Sequence, residues 1–253
     1  MRLLSELHKT PDLVWTAHRG ASFDDAENTL AGFRRAVADG ADMIEFDVRM
    51  TRDGVPVILH DREVDRTSNM TGRPEDHLLS ELKKGNFTYF SRGERLEKPL
   101  HPGESIPAFE EVLAEFGNQV CMNIQVYTGM DGLKELCRLY LKYGMTDKAY
   151  LTIADMAEAE FVRQLSPEIE ICLTPGWEDR ANPENLKLCA DFGCRFVQPV
   201  WNCVTPETFQ VCRELNLRPN VFFADSIEEA GRMIAMGACG FLTNRIGDMK
   251  KAF

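Results

Sequence analysis

The sequence is short of several features that ordinarily announce a function. None of its 253 residues falls in an apolar run approaching the ~20 residues that a membrane-spanning helix needs. The N-terminal segment carries no apolar block of signal-peptide length. Stable membrane insertion and export are therefore not expected, and a cytoplasmic protein is. Positive charge is scarce, with 29 Lys and Arg against 40 Asp and Glu, a formal net charge of −11. That balance argues against nucleic acid or anionic membranes as partners, and it makes any anionic substrate depend on local arginines or a metal. None of the eight cysteines forms a Cys-x-x-Cys pair, so they read as reduced residues of a cytosolic chain. There is no Gly-x-Ser-x-Gly, which removes the nucleophile elbow of a serine hydrolase. No Gly-rich turn follows the first expected strand, which disfavours an open nucleotide-binding sheet.

What the chain does have is concentrated between Ala17 and Asp61. Two of its five histidines, His18 and His60, flank Glu45 and Asp47 there. Met43 to Arg49 reads as a strand, so Glu45 and Asp47, two apart, share a face. Val55 to Leu59 reads as a second short strand. Asp53-Gly54 between them suits a two-residue type I′ turn. So short a link cannot make a parallel crossover, and the pair is expected to be antiparallel. With Arg52 paired to Val55, His60 falls opposite Asp47 and joins the carboxylates on one side. His18 ends a strand over Leu13 to Ala17, and Gly20 lets the chain turn. Carboxylate oxygens without thiolates favour a hard cation, Mg²⁺ or Ca²⁺. Imidazoles exchange protons near neutral pH. An isolated Glu-x-Asp is ordinarily a solvated strand face and an isolated His ordinarily structural, but the four together point to a metal with acid/base partners.

The remainder alternates strand and helix. From Asn28, which can cap, a helix carries Leu30, Phe33 and Val37 on one stripe and stops at Gly40. Residues 61–106, rich in Gly and Pro, read as an excursion over a barrel mouth, with a short helix near Ser80 to Lys84. Thereafter Asn182-Pro183 and Thr205-Pro206 open helices, and Ser226-x-x-Glu229 forms a capping box. Strands near 13, 43, 120, 149, 169, 195, 220 and 240, joined by helical crossovers, predict an α/β fold, a single (β/α)₈ TIM-type barrel domain over 1–253. The hairpin follows its second strand; an open doubly wound sheet is the runner-up. The barrel rule puts function at the C-terminal strand ends. Further candidates there are Asp155, Trp177, Trp201, Phe223, Asp225 and Asn244. Asp155 reads equally as a helix cap and the tryptophans as packing; an inward-turned acid would add a third carboxylate.

The series His18-Arg19-Gly20, Glu27-Asn28-Thr29, Glu45-x-Asp47, Asp53-Gly54, His60-Asp61, Arg66-Thr67 and Gly72 resembles, in order and spacing, the signature of the glycerophosphodiester phosphodiesterases. The resemblance covers about the first quarter of the chain. It implies a TIM-type barrel that cleaves a glycerophosphodiester to glycerol 3-phosphate and an alcohol, with a small-molecule phosphodiester as partner. It implies His18 and His60 as the general acid/base pair, Glu45 and Asp47 as ligands of a divalent metal, and Arg19 on the phosphate. The family pattern continues with Glu-x-Lys on the next barrel strand. Here Gln125 takes the third metal-ligand position and Tyr127 the substrate-binding position of the lysine. One negative and one positive charge are lost together. Two readings stay open: a metal-dependent phosphodiesterase with an altered site, favoured by the retained histidines, and a non-catalytic barrel that binds a phosphodiester or sugar phosphate, favoured by Gln125 and Tyr127.

Overall fold

A computed structural model describes residues 1–253. Its strands are β1 Val14–His18, β2 Met43–Met50, β3 Pro56–Ile58, β4 Phe90–Ser91, β5 Glu94–Arg95, β6 Cys121–Val126, β7 Ala149–Ile153, β8 Glu170–Leu173, β9 Phe196–Val197, β10 Arg218–Pro219 and β11 Gly240–Thr243. The parallel ladder runs β11-β1-β2-β6-β7-β8, and β9 pairs with β10. Two links join the ladder to that second pair. The Arg195 backbone N–H donates to Glu170 Oε1 at 3.0 Å, and Val221 bridges Phe241 in parallel. The eight expected parallel strands are all present in barrel order, with helices such as Leu30–Ala38, Gly129–Lys142 and Met156–Leu165 between them.

Alternation along the strands explains why these segments fold this way. On β2, Ile44, Phe46 and Val48 face outward into the main core. There Phe46 packs between Phe33 and Phe109 at ring separations of 5.5 and 6.1 Å. Truncating such a fully buried ring typically costs about 3–5 kcal/mol. Met43, Glu45 and Asp47 face the other way. Met43 joins Val14, Cys121, Tyr150, Cys172 and Phe196 in an apolar layer closed from below by Leu4 and Leu7. Two residues further up each strand the interior turns polar. Asn123 donates across it to Gln198 Oε1 at 2.9 Å, and Asn220 to Thr16 Oγ1 at 2.9 Å. Buried polar groups need such partners, and these bonds tie together strands that share no ladder. The next layer is the mouth.

The hairpin is antiparallel as expected, but its register is not the expected one. Val48 faces Ile58, Arg49 faces Val57 and Met50 faces Pro56, so Leu59 reaches Asp47, donating its N–H at 2.9 Å. The loop has three residues, Arg52-Asp53-Gly54, closed by Thr51 N–H to Val55 O at 3.0 Å. Of Asp53 and Gly54 only the glycine has positive φ, +74°, which fits a type I turn ending in a left-handed residue rather than type I′. The extra residue moves the pairing by one. His60 nevertheless reaches the site because β3 ends at Ile58, and beyond it the two-residue alternation no longer dictates direction. A second correction concerns the first helix. Thr29, not Asn28, is its cap, accepting from Gly32 N–H at 3.0 Å. Residues 61–106 form the expected excursion, with a short helix Leu79–Leu82, the β4–β5 hairpin and a small core of Val57, Leu59, Val64, Leu82, Phe87 and Ile106.

Candidate active site

The chain turns sharply after β1. Arg19 and Gly20 have φ of +56° and +80°. A Cβ on Gly20 would come within 2.9 Å of the Gly32 backbone, so only glycine fits this approach. The turn aims the Arg19 backbone N–H at Glu45 Oε2, 2.9 Å away. Parallel pairing sets His18 beside Glu45 and Asp47 beside Gln125. A cavity of about 200 Å³ is lined by His18, Arg19, Glu45, Asp47, His60, Gln125 and Tyr127, together with Trp177, Arg180, Gln198 and Phe222. All seven residues singled out in the sequence therefore meet in one place. A larger cleft of about 610 Å³ lies against the C-terminal helix, but it holds neither histidine.

The two imidazoles are held differently. His18 Nδ1 lies 2.7 Å from Asn244 Oδ1. The Asn244 amide donates to Asp225 Oδ2 at 2.6 Å, which fixes its oxygen toward the ring, so Nδ1 carries the proton and Nε2 is free. Burial, and then the neighbouring Arg19 charge, push the His18 pKa down to about 4, against the Asn244 hydrogen bond and Asp47. His60 Nδ1 instead meets a carboxylate, Asp61 Oδ1, at 2.7 Å. The His60 hydrogen bond holds Asp61 well below the usual carboxylate range, with Arg66 helping against burial. Arg66 Nε donates to Asp61 Oδ2 at 2.5 Å, and its terminal nitrogens donate to Glu27 at 2.8 and 2.7 Å. Glu27 in turn accepts from Arg19 Nη1 at 3.0 Å. One chain of alternating charges thus links His60 to the residue beside His18.

The carboxylates are buried. Asp47 accepts from Asn28 Nδ2 at 2.9 Å, which gives that residue the task its expected capping role did not. Glu45 is raised well above its ordinary pKa, first by burial and then by the Asp47 charge, with Arg19 opposing. Two crowded carboxylates of this kind are stabilised by a bound cation. Gln125 donates its amide N–H to the Thr152 carbonyl at 3.2 Å, leaving its oxygen as the free polar atom. Two carboxylates and an amide oxygen form an all-oxygen donor set that fits a hard divalent ion, with one negative charge fewer than three carboxylates. Asp155 does not fill the gap: it is exposed and caps the helix Met156–Leu165, accepting from Glu158 N–H at 3.0 Å. Tyr127 is half-exposed, its pKa pushed up to about 12 mainly by burial, so its hydroxyl is neutral. The ring stands edge-on to His60 at 6.0 Å and faces the Arg49 guanidinium at 4.8 Å.

The sequence model of the Glycerophosphoryl diester phosphodiesterase family matches residues 18–248. The chain belongs to this family. Its named relatives are glycerophosphodiester phosphodiesterases, which are phosphoric diester hydrolases, the enzyme class expected from the sequence. The glycerophosphodiester phosphodiesterase of Caldanaerobacter subterraneus subsp. tengcongensis is 30% identical over 90% of this chain and 92% of its own length. Human glycerophosphodiester phosphodiesterase 1 is 35% identical over 66% of this chain, which spans 47% of that protein. Among solved structures, an Oleispira antarctica phosphodiesterase in complex with the product sn-glycerol-3-phosphate has a TM-score of 0.84 at 18% identity, covering 94% of this chain and 96% of that one. A putative glycerophosphoryl diester phosphodiesterase from Silicibacter pomeroyi also has a TM-score of 0.84, at 20% identity over 99% and 97%. At such identities the likeness is one of fold, and it supports the TIM-type barrel.

Against the family pattern, several neighbours of the site escaped the sequence reading. Arg180, Gln198 and Phe222 line the cavity but stand in short loops without a motif. Of the further mouth candidates, Trp177 lines this cavity, whereas Phe223, Asp225 and Asn244 line an adjoining one of about 510 Å³ that also contains His18, Arg19, Arg66, Phe90 and Arg92. Trp201 lines neither. Phe90 and Arg92 belong to the excursion over 61–106, which therefore does border the mouth. The Asn244–Asp225 support of His18 was legible only as two polar residues at strand ends. No helix is long and apolar enough to cross a membrane.

Proposed function

We propose that this chain hydrolyses glycerophosphodiesters to glycerol 3-phosphate and an alcohol, with His18 and His60 as the acid/base pair. The reading takes the whole chain as one barrel domain acting in the cytoplasm on a small-molecule phosphodiester. The observation that carries it is the pair of imidazoles lining one small cavity, each with Nδ1 engaged by a fixed partner, Asn244 or Asp61. Each ring then has one nitrogen left for proton exchange. The glycerol hydroxyl next to the phosphate attacks phosphorus and gives its proton to one imidazole. The P–O bond to the alcohol breaks, and the other imidazole supplies the proton to that oxygen. Water opens the resulting cyclic phosphate with the proton transfers reversed. Arg19 offsets charge on the phosphoryl oxygens, its backbone fixed on Glu45 and its side chain on Glu27. Glu45, Asp47 and Gln125 would hold a divalent cation, Mg²⁺ or Ca²⁺, which when bound supplies further charge stabilisation to those oxygens.

A second reading has its own observation. With Gln125 amidic and Asp155 engaged as a cap, the cavity is lined by two carboxylates only, which favours a weakened site that binds a phosphodiester or sugar phosphate without turnover. Release of glycerol 3-phosphate from glycerophosphocholine, assayed with and without added Mg²⁺ or Ca²⁺, separates the two. Turnover that needs the metal supports the hydrolase. Saturable phosphate-ester binding with no turnover at any metal concentration supports the binder.

A further inference from the structure

Two arginines line the cavity, and their surroundings differ. The Arg19 charge is matched inside the protein, by Glu27 at 3.0 Å and Asp47 at 3.4 Å. Arg180 has no carboxylate partner. Its single hydrogen bond to protein runs from Nε to the Gly176 carbonyl at 3.0 Å. The Trp177 ring lies against its guanidinium at 4.8 Å. These two contacts orient the planar group and leave both terminal nitrogens without a protein acceptor. The side chain is half-buried, and burial lowers its pKa from the ordinary value, so the charge gains from an anion beside it. The other polar groups nearby do not fill this role. Tyr127 is neutral, and Arg49 is committed to the His60 carbonyl through Nε and Nη2 at 2.9 and 2.6 Å.

Arg180 sits in the single 3₁₀ turn Glu178–Ala181 after β8, at the end of the barrel where His18 and Asp47 sit. In barrel order β8 lies three strands from β2, past β6 and β7. Arg19 and Arg180 therefore enter the cavity from different sides, the arrangement needed to hold the two free oxygens of a phosphodiester. A guanidinium with two free terminal nitrogens suits such oxygens better than an ammonium.

We propose that Arg180 binds the phosphoryl oxygens of substrate and product, as the second anion-binding residue of the cavity facing Arg19. The proposal rests on the phosphodiesterase reading above and assigns to a loop residue the charge that Tyr127 does not provide. The test uses two probes: sn-glycerol 3-phosphate binding by calorimetry, and steady-state turnover of glycerophosphocholine. Arg180→Gln is expected to weaken sn-glycerol 3-phosphate binding about 10- to 100-fold, the range of a lost charged hydrogen bond. The diester KM should rise by a similar factor, with an unchanged melting temperature. Arg180→Lys keeps the charge and loses the fork, so it should fall between the two. Adding Tyr127→Lys to Arg180→Gln restores a cation from another strand and should recover part of the binding. Parent-level binding and KM in folded Arg180→Gln would overturn the assignment. Should that variant fail to fold, Arg180→Lys decides, and parent-level values in it count against the proposal. A parent protein that neither binds nor cleaves these probes overturns this inference and the phosphodiesterase reading together. A parent that does both beside an unaffected Arg180→Gln overturns this inference alone.

Discussion

The two sides of the cavity are built on different principles. On the side of β1 and β2, nearly every charge has an opposite charge touching it: Arg19 with Glu27 and Asp47, Glu27 with Arg66, Arg66 with Asp61, and Asp61 with His60. On the side formed by β6 and the loops after β8, β9 and β10, the lining is amide, phenol and aromatic, with Arg180 as its uncompensated cation. A fully paired network in a half-buried setting is rigid, because moving one member strands the others. It suits groups that must be held in place during proton transfer. A sparse, neutral side with one free guanidinium suits a ligand that brings its own charge. The first side carries the chemistry in this account, and the second tunes how tightly the anion and the cation are held.

The largest expected effect breaks the first side. His18→Ala or His60→Ala should reduce turnover by about 10²–10⁴-fold, the usual value of a positioned acid or base, with circular dichroism and melting as for the parent. Near-parent rates in either folded variant contradict the assignment.

The next effect tests whether the paired side is a structural unit. Glu27 joins two arginines. Burial raises its carboxyl, but the Arg66 hydrogen bond and the Arg19 charge outweigh that, leaving it below its ordinary 4.5. Glu27→Gln leaves Arg66 with Asp61 alone and Arg19 with Asp47 alone, and should cost about 2 kcal/mol in denaturant unfolding at pH 7, the order of a lost charged hydrogen bond. The pH dependence has a definite sign. A carboxyl lowered in the folded state contributes its stability above the unfolded value and loses it as pH falls through the folded one. Stability of the parent should therefore drop below about pH 4.5 more steeply than that of Glu27→Gln. Parallel curves would show that Glu27 is not coupled as described.

How much of this was legible in the sequence follows the same division. The paired side comes from one continuous stretch, 18–66, whose motifs are close in sequence and whose strand alternation fixes the carboxylate face. The barrel was legible because the parallel strands other than β2, which runs into the hairpin, lead directly into helical segments. The sparse side was legible only in part, through Gln125 and Tyr127 at the end of β6 and Trp177 as a mouth candidate. Arg180, Gln198 and Phe222 lie far apart in short loops, where neither alternation nor a helical period says which way a side chain points. The hairpin register failed for a related reason. Asp-Gly serves both a two-residue and a three-residue loop, and only the φ of Asp53 tells them apart. Asn28 was misread because a capping residue and a hydrogen-bond donor to Asp47 look the same in one dimension.

A smaller change sharpens the contrast from the sparse side. Gln125→Glu adds the negative charge that the amide lacks. It should tighten Mg²⁺ or Ca²⁺ binding to the free protein about tenfold, measured by calorimetry. Together with Tyr127→Lys it should raise turnover of glycerophosphodiesters. A parent that already binds metal as tightly as Gln125→Glu shows that the two carboxylates suffice.

The smallest expected effect concerns the loop that delivers His60. No atom lies within 4 Å of a Cβ built on Gly54, so the penalty there is one of backbone alone. Gly54→Val should cost about 1–2 kcal/mol of stability, and Gly54→Asn less, since Asn tolerates the left-handed region. Equal stability of both variants and the parent in a thermal melt would contradict the three-residue loop.

The most direct test of the central claim is a metal titration of glycerol 3-phosphate release from glycerophosphocholine, run in parallel on the parent and on His60→Ala. Release by the parent should rise with Mg²⁺ or Ca²⁺ and vanish with chelator, and the variant should release none above background. Tight binding of glycerol 3-phosphate with no release by the parent at any metal concentration, or equal release by both proteins, would contradict it.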